Sequence, residues 1–345
     1  MQRLASDVRE LVDAVEIHSA TAFSIAAERF DAPNAADAPV DLAATLASAL
    51  YSRRYCRPIQ TSFAPTALDP RAARVFVEQL SHANSGIGTW ESGWVVQSIE
   101  ADGTLVARRQ RDDMLVWARP DEFRPASGVV EIGGTGRVRV PKELREMLPG
   151  YYAVFGDADR SPDFSSHPLD LVRFYWHLTA DIARDWIREL TARFNAAGVP
   201  FQAKTLNDPA AYVRADAAVL YIERKDLAPT MALLPALHLV TRAGLRETTP
   251  MLTKRLAPGL AVADDPGDGR SFGQHRCQLI AEGLVRAADA EASRFSVRLK
   301  AVVDRFADEG LSGSAPWLKA GSPDVYEWSG PKSVGRPSQG RQRRP

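Results

Sequence analysis

The chain has 345 residues, of which 45% are hydrophobic and 25% are charged, an ordinary composition for a globular protein. Its formal net charge is zero, which argues against a protein whose whole surface binds nucleic acid or an anionic membrane. The two cysteines, Cys56 and Cys277, are too few for a disulfide framework or a cysteine-rich zinc site. Because neither a signal peptide nor an apolar run of about 18 residues is present, we expect a cytoplasmic protein without a membrane span.

Residues 1–80 are predicted to form a helical N-terminal region. Apolar residues recur with helical spacing from Leu4 to Val15, which predicts that residues 1–30 form an amphipathic helix. In a later segment Asp69 precedes Pro70, which is typical of a helix cap followed by the first helical residue. The further helices of this region are predicted at about 42–51 and 70–83.

Residues 81–150 are predicted to form a β-rich subdomain that binds a peptide or a partner protein. Two apolar runs flank Asp102-Gly103, a dipeptide that is typical of a β-hairpin turn. Before the hairpin, a glycine-rich loop contains Asn84 and Trp90 but lacks the spacing of a phosphate-binding or dinucleotide-binding loop. Asn84 and Trp90 either line a cleft or belong to a structural turn with packed tryptophans.

Strands and helices alternate over residues 151–310, which predicts an α+β core with a central mixed sheet and flanking helices. Within this core the polar stretch 257–273 is predicted to be a long loop, and helices are predicted through about 274–309. Residues 311–345 end in a run rich in proline, glycine and basic residues, so we expect a flexible basic tail there.

The residues with the strongest chemical signal lie between Lys204 and Arg276, at predicted strand ends and on glycine- or proline-rich loops. Lys204 lies in a strand-like run, where reduced solvation would lower its pKa and make it a base. The alternative interpretation is that Lys204 is an exposed lysine on an edge strand. Tyr221 ends an apolar run and is either a core residue or a hydrogen-bonding residue of the site.

The cations of this region are candidates for binding a phosphate group. His275 and Arg276 open a predicted helix, whose free N–H groups attract an anion, although His275 alternatively caps or packs locally. Arg214 either clamps an anion or pairs with Asp216, and Lys254 either joins the site or lies on the surface. Arg173 interrupts an apolar strand and is expected to be paired if it is buried. Asn207 follows Lys204 at a turn and is a possible cleft-lining residue.

Several common site types lack support in the sequence. The acidic stretch 264–269 lacks the register of a calcium loop, and the histidines make no paired zinc motif, so no metal is expected. The nucleophile elbow of the hydrolases and the kinase signatures are also missing.

Four blocks of the sequence resemble the HopA-type effector-like lyases, a family first named for a bacterial type III secreted effector. The blocks read YYAVFGDA, LVRFYWHLT, FQAKTLNDPAAYVRADAAVLYIERKD and TKRLAPG followed by SFGQHRC. The resemblance covers about 80–290 and is strongest over 200–285. Related proteins occur beside kinase-like partners in pathways that make class V lanthipeptides and thioviridamide-type peptides.

The resemblance implies elimination of phosphate from a phosphorylated Ser or Thr of a precursor peptide, without a cofactor, after a kinase-like partner has acted. The product would be dehydroalanine or dehydrobutyrine. For this reaction Lys204 is the candidate base, His275 the candidate acid, and Tyr221 or Lys254 would stabilise the enolate. Arg214, Arg276 and Arg173 would hold the phosphate.

Two alternatives remain open at this stage. The first is a non-catalytic subunit that binds the peptide or docks the kinase, and the second is an effector directed at a host. No nucleic-acid or membrane partner is expected.

Overall fold

The computed structural model describes residues 4–32, 41–56, 69–110, 113–148, 150–158, 170–289 and 294–330. The α-helices are α1 (Ser6–Ala14), α2 (Leu42–Leu50), α3 (Pro70–Ala83), α4 (Ala180–Ala196), α5 (Leu227–Thr241), α6 (Phe272–Asp289) and α7 (Phe295–Asp308). The first eight strands are β1 (Val15–Ser19), β2 (Ala22–Ile25), β3 (Glu28–Asp31), β4 (Thr89–Ile99), β5 (Leu105–Arg109), β6 (Leu115–Ala118), β7 (Phe123–Pro125) and β8 (Thr135–Val140). The others are β9 (Glu143–Leu148), β10 (Tyr151–Phe155), β11 (Leu171–Trp176), β12 (Gln202–Leu206), β13 (Ala218–Glu223), β14 (Lys254–Ala257) and β15 (Leu260–Asp264).

The N-terminal region contains a sheet as well as helices. The predicted first helix is wrong beyond Ala14, because β1, β2 and β3 follow and form an antiparallel three-stranded sheet. Alternating residues of β1 and β2 place Val15, Phe23 and Ile25 in the core, a pattern that suits a strand. The helices predicted at 42–51 and 70–83 are confirmed, and the Asp69 side chain caps α3 as expected.

A five-stranded antiparallel sheet follows, with the strand order β6-β5-β4-β8-β7. The predicted hairpin is confirmed: its turn contains Gly103 with a φ of 86°, and the Asp102 carboxylate accepts a hydrogen bond from the Thr104 N–H. The inward face of this sheet has a small core of its own, formed by Trp94, Val96, Leu105, Ala107, Ala118, Phe123 and Val138.

The largest sheet has seven strands in the order β14-β15-β11-β13-β12-β10-β9. The α+β class is confirmed, but the expectation of a mixed sheet is wrong, because every neighbouring pair is antiparallel. The physical reason lies in the connection through α4. It joins β11 to β12, which run in the same direction, and β13 inserts between them and pairs antiparallel with both.

Helices cover both faces of this sheet. The core on one face joins α3, α4 and α5 to Phe174, Trp176 and Leu220 of the sheet. The core on the other face joins α1, α2, α6 and α7 to residues of β11, β13 and β15, including Tyr175 and Val219. Within the described residues, that second core takes none from β10 or β12. The part of the second face that β10 and β12 form therefore lies beside the helices rather than beneath them.

Two predictions for the C-terminal half need correction. The predicted loop 257–273 contains β15, whose apolar residues Leu260–Ala263 are buried on both faces of the central sheet. The tail predicted from 311 onward is also wrong in its first part, because residues 311–330 pack on the core; residues 331–345 lie outside the described residues. In the described part of the chain, no helix is both long and apolar enough to cross a membrane.

A buried carboxylate holds this C-terminal segment. The fully buried Asp264 accepts hydrogen bonds from the Lys319 N–H, 3.0 Å away, and from the Tyr326 hydroxyl. Its Oδ1 also lies 2.7 Å from Nη2 of Arg224. Because one carboxylate satisfies donors from two distant segments, we regard Asp264 as the anchor of residues 317–326.

We expect Asp264→Ala to lower the free energy of unfolding by about 3 kcal/mol, because it leaves buried donors without their acceptor. The matched control is Asp324→Ala, which removes an exposed carboxylate 2.6 Å from Lys254 and should cost about 0.5 kcal/mol. Chemical denaturation measures both. Equal destabilisation by the two variants would contradict the anchoring role of Asp264.

Candidate active site

Strand pairing places three of the predicted site residues on one face of the central sheet. Lys204 of β12 lies opposite Val219 of β13, so Tyr221, two residues further along β13, points to the same side. Tyr221 lies opposite Arg173 of β11, which therefore also shares this face. On the other side of Lys204, β10 supplies Tyr151 to the same face, two residues before Ala153.

Lys204 lies against aromatic rings. Its Nζ is 4.3 Å from the centre of the Tyr151 ring and 5.9 Å from the centre of the Tyr221 ring. Nζ makes no hydrogen bond or ion pair with any residue that the structure describes. The aromatic faces attract the ammonium form, but they replace part of its hydration.

The pKa of Lys204 is lowered from its ordinary value. Burial is the main cause, because it removes water from the charged amine, and the positive charges of Arg173 and Arg214 act in the same direction. The carboxylate of Asp216 opposes the shift. The neutral amine is therefore populated at a lower pH than in an exposed lysine, as a general base requires.

Arg214 is held by a carboxylate fork. Its Nε donates to Oδ1 of Asp216 and its Nη2 to Oδ2, both at 2.8 Å, and Nη2 also donates to the Tyr51 hydroxyl at 3.0 Å. The pairing with Asp216 that the sequence left open is thus present. Nη1 has no hydrogen-bond partner among the described residues. Although burial alone would raise the pKa of Asp216, Arg214 lowers it, so the fork stays ionised.

Arg173 is the second fixed cation on this face. Its side chain is buried and forms an ion pair with Asp265, with Nε 2.6 Å from Oδ2. Nη2 donates to the Arg270 carbonyl at 3.1 Å, and the guanidinium lies 5.4 Å from the centre of the Tyr221 ring. Arg173 is thus ion-paired with the buried Asp265, as expected for a charged residue within an apolar strand.

Tyr221 supplies a hydroxyl that keeps its proton. Burial raises its pKa to about 12, although the positive charge of Arg173 acts in the opposite direction. At neutral pH the phenol is therefore protonated and can donate a hydrogen bond or a proton. A protonated phenol beside an amine with a lowered pKa provides an acid and a base on one face.

The structure does not bring His275 and Arg276 to this site. The buried Arg276 donates to the carbonyls of Pro316 at 2.8 Å and Leu318 at 2.9 Å, and Nη1 lies 2.8 Å from Nδ1 of His275. Burial lowers the pKa of Arg276 to about 10. The predicted phosphate contact of Arg276 is wrong for this arrangement, because main-chain carbonyls of the C-terminal segment occupy its donors.

His275 is also buried, and its contacts are with neighbouring residues of the protein. Its Nε2 lies 3.7 Å from Asp268, and burial together with the charge of Arg276 lowers its pKa to about 4. At neutral pH its ring is uncharged. No contact described for His275 reaches Lys204, Tyr221 or Arg214, so the predicted proton donor lies outside the cluster.

Lys254 lies on the opposite face of the sheet. It is paired with Val262 across β14 and β15, and Val262 belongs to the core beneath α4 and α5. Its amine forms an ion pair with Asp324. Its predicted role in the site is therefore wrong: alternation along β14 directs it away from Lys204.

The three residues that the sequence suggested as cleft-lining lie in three different environments. Asn84 is buried and its amide donates to the Lys142 carbonyl and the Tyr152 hydroxyl, both at 3.2 Å, so it has a structural role. Trp90 lies on the five-stranded sheet, with the Arg124 guanidinium 3.9 Å from its ring centre. Asn207 lies just beyond β12, where its N–H donates to the Gly150 carbonyl at 3.2 Å.

Sequence reasoning missed three members of the site. Tyr151 could have been found from strand alternation within YYAVF, which separates it from the buried Tyr152. Tyr51 lies in a π-helical turn after α2, and no local pattern connects it to Arg214. Asp265 belongs to the acidic stretch 264–269, which was considered only as a calcium loop, and its carboxylate pairs with Arg173. In the described ranges no group of His, Cys, Asp or Glu side chains is placed to hold a metal ion.

The sequence profile of the HopA1 effector protein family matches residues 144–318, half of the chain. The chain belongs to the HopA1 effector protein family. This HopA1-family region contains Tyr151, Arg173, Lys204, Arg214 and Tyr221.

Two solved structures are similar to this HopA1-family chain. One is the effector protein from Pseudomonas syringae pv. tomato strain DC3000, with 17% identity, a TM-score of 0.46, and coverage of 81% of this chain and 95% of the other. The second is the effector protein from Pseudomonas syringae pv. syringae strain 61, with 16% identity, a TM-score of 0.45, and coverage of 81% and 94%. No curated protein sequence matches the chain.

We expect Lys204 to react with a small amine-selective reagent at a lower pH than the lysine of a short free peptide, because only the neutral amine is nucleophilic. Arg173→Gln removes a neighbouring positive charge and should move the Lys204 reaction midpoint to higher pH. Peptide mapping after labelling over a pH series measures the Lys204 midpoint in wild type and in the variant. If Lys204 reacts at the same pH as the free peptide, its amine is not perturbed.

Proposed function

We propose that this chain is a phosphoserine and phosphothreonine lyase. It would eliminate phosphate from a precursor peptide and leave dehydroalanine or dehydrobutyrine, within a pathway that makes a ribosomal peptide natural product. The observation that carries the proposal is the Lys204 amine on the same sheet face as Arg173 and Tyr221, with Arg214 near enough for its charge to help lower the pKa of that amine. Membership of the HopA1 family supports it.

The first requirement of the reaction is a base for the α-proton. In this proposal the neutral Lys204 amine takes that proton, and the electron pair of the Cα–H bond forms the Cα–Cβ double bond. Negative charge that develops on the neighbouring amide carbonyl is stabilised by the fixed guanidinium groups beside Lys204. A fixed cation is effective here because it does not reorganise as the charge develops.

The second requirement is an acceptor for the leaving phosphate. The Cβ–O bond breaks with its electron pair on oxygen, and the Tyr221 phenol donates a proton to that oxygen, so phosphate departs as a hydrogen phosphate. Arg214 presents Nη1, for which the described part of the chain supplies no hydrogen-bond partner, and Arg173 supplies a second cation. Asp216 and Asp265 hold these two side chains in place, which limits the entropy lost on binding.

The substrate requires a preceding phosphorylation. A phosphomonoester on Ser or Thr is made by an ATP-dependent kinase, so the proposal includes a kinase-like partner protein that acts before the lyase. The elimination itself uses neither ATP nor water. A phosphothreonine peptide alone is therefore a sufficient test substrate.

We expect the wild-type chain to remove the elements of phosphoric acid from a phosphothreonine peptide without ATP or added metal, as measured by mass spectrometry. Lys204→Ala should reduce the rate by about a thousandfold, the scale of a lost general base. The matched control is Lys225→Ala, which removes an exposed lysine paired with Glu223. Loss of only the phosphoryl group, which leaves the alcohol, would indicate hydrolysis. Full activity of Lys204→Ala would contradict the proposed base.

A second comparison tests which cations act in the reaction. Arg214→Gln should slow elimination by about a hundredfold, because it removes a fixed charge from the proposed leaving-group site. His275→Gln should leave the rate within a few fold, since His275 lies outside the cluster. Steady-state kinetics with the same peptide measures both variants. A large loss with His275→Gln and none with Arg214→Gln would place the chemistry at the start of α6 instead.

A further inference from the structure

Four side chains form a row across the central sheet, next to Lys204. Tyr221 of β13 lies opposite Arg173 of β11 on one side and opposite Gln202 of β12 on the other. Gln202 in turn lies opposite Phe155 of β10. Residues that lie directly opposite each other in antiparallel strands point to the same face of the sheet. Gln202 therefore extends the face of the proposed site from Tyr221 toward β10.

Gln202 is also the nearest residue to Lys204 on this face along β12. Ala203, which lies between them, points into the core of the opposite face, and both Gln202 and Lys204 are half-buried. Because a strand rises about 3.4 Å per residue, the α-carbons of Gln202 and Lys204 are about 7 Å apart. A substrate whose α-carbon lies at the Lys204 amine therefore has its adjacent backbone groups within reach of the Gln202 amide.

The hydrogen-bonding chemistry of this face distinguishes Gln202 from its neighbours. Lysine and arginine side chains only donate hydrogen bonds. The carboxylate of Asp216 already accepts from Arg214, and the carboxylate of Asp265 accepts from Arg173. The amide of Gln202 contains an oxygen that accepts and an NH2 group that donates, so the interaction it already has within the protein leaves capacity for another.

We propose that Gln202 is a substrate-binding residue, whose amide oxygen accepts a hydrogen bond from the backbone N–H of the phosphorylated residue. This inference rests on the proposed lyase function. A backbone N–H that enters a partly desolvated site loses its bond to water and requires an acceptor there. The contact would limit the rotation of the bound residue and keep its α-proton directed at Lys204.

The same contact specifies the kind of substrate. The reacting residue has to lie within a peptide chain, because the nitrogen of free phosphothreonine is a charged ammonium that the neighbouring cations repel. A neutral acceptor also suits this position. A carboxylate at position 202 could accept the same hydrogen bond, but its charge would favour the ammonium form of Lys204, which cannot act as a base.

The test compares two phosphothreonine peptides that differ only at the backbone N–H of the phosphothreonine, which is an ester oxygen in the second peptide. Gln202→Leu should lower kcat/KM for the amide peptide about tenfold, the scale of one hydrogen bond between neutral groups. It should change kcat/KM for the ester peptide by less than about twofold, because that peptide lacks the donor. Mass spectrometry measures elimination from both peptides.

The matched control is Gln79→Leu, which changes an exposed glutamine on α3 and should leave both rates within about twofold of wild type. Circular dichroism confirms that each variant is folded. Binding of the two labelled peptides is measured separately by fluorescence anisotropy in the Lys204→Ala chain, with and without Gln202→Leu. There the substrate is not consumed, and Gln202→Leu should weaken binding of the amide peptide only.

Two outcomes would overturn the Gln202 contact. They are an unchanged rate of Gln202→Leu with the amide peptide, and an equal loss with both peptides, which would mean that Gln202 acts on the fold rather than on the substrate N–H. If elimination is absent in wild type while the binding difference holds, the lyase proposal fails and the Gln202 contact remains. If elimination occurs and both peptides respond equally to Gln202→Leu, the lyase proposal stands and the Gln202 contact fails.

Discussion

Antiparallel pairing of β13 with both β11 and β12 is the constraint on which the candidate site depends. It aligns Arg173, Tyr221 and Lys204 across three adjacent strands and directs all three side chains to one face. Strand spacing of about 4.8 Å then sets their separation, and no loop has to close to assemble them. The group is thus built on rigid elements, which is the arrangement that keeps catalytic geometry well defined.

The helices cover only part of this sheet face, and that partial cover determines how strongly Lys204 is buried. The helical core packs over β11, β13 and β15, while Lys204 lies on β12, which contributes nothing to that core. Lys204 is consequently half-buried between tyrosine rings, where loss of hydration lowers its pKa. Arg173 and Arg214 strengthen that shift, yet each has a carboxylate partner that makes its own burial tolerable. The same ion pairs therefore hold the cations in place and allow them to act on a neighbouring amine.

The C-terminal segment explains why a second group of conspicuous residues has a structural role. Residues 316–318 present carbonyls to Arg276, and Asp264 accepts from Lys319 and Tyr326. Buried donors require acceptors, and here the acceptors come from a stretch that composition alone predicts to be a tail. Once its donors are satisfied in this way, the guanidinium of Arg276 is a packing element rather than an anion-binding group.

The sequence by itself determined the local structure: the cap at Asp69, the turn at Asp102-Gly103, the strand containing Arg173 and the presence of Lys204 in a strand all follow from interactions over a few residues. It also indicated that a strand arginine such as Arg173 needs a partner. Only the tertiary structure decided that Asp265 is that partner, that Tyr51 reaches Arg214, and that Lys254 faces the opposite side of the sheet. The physical reason is that strand order and helix cover depend on contacts between residues far apart in the chain. Local propensity carries no information about which strand will lie beside which.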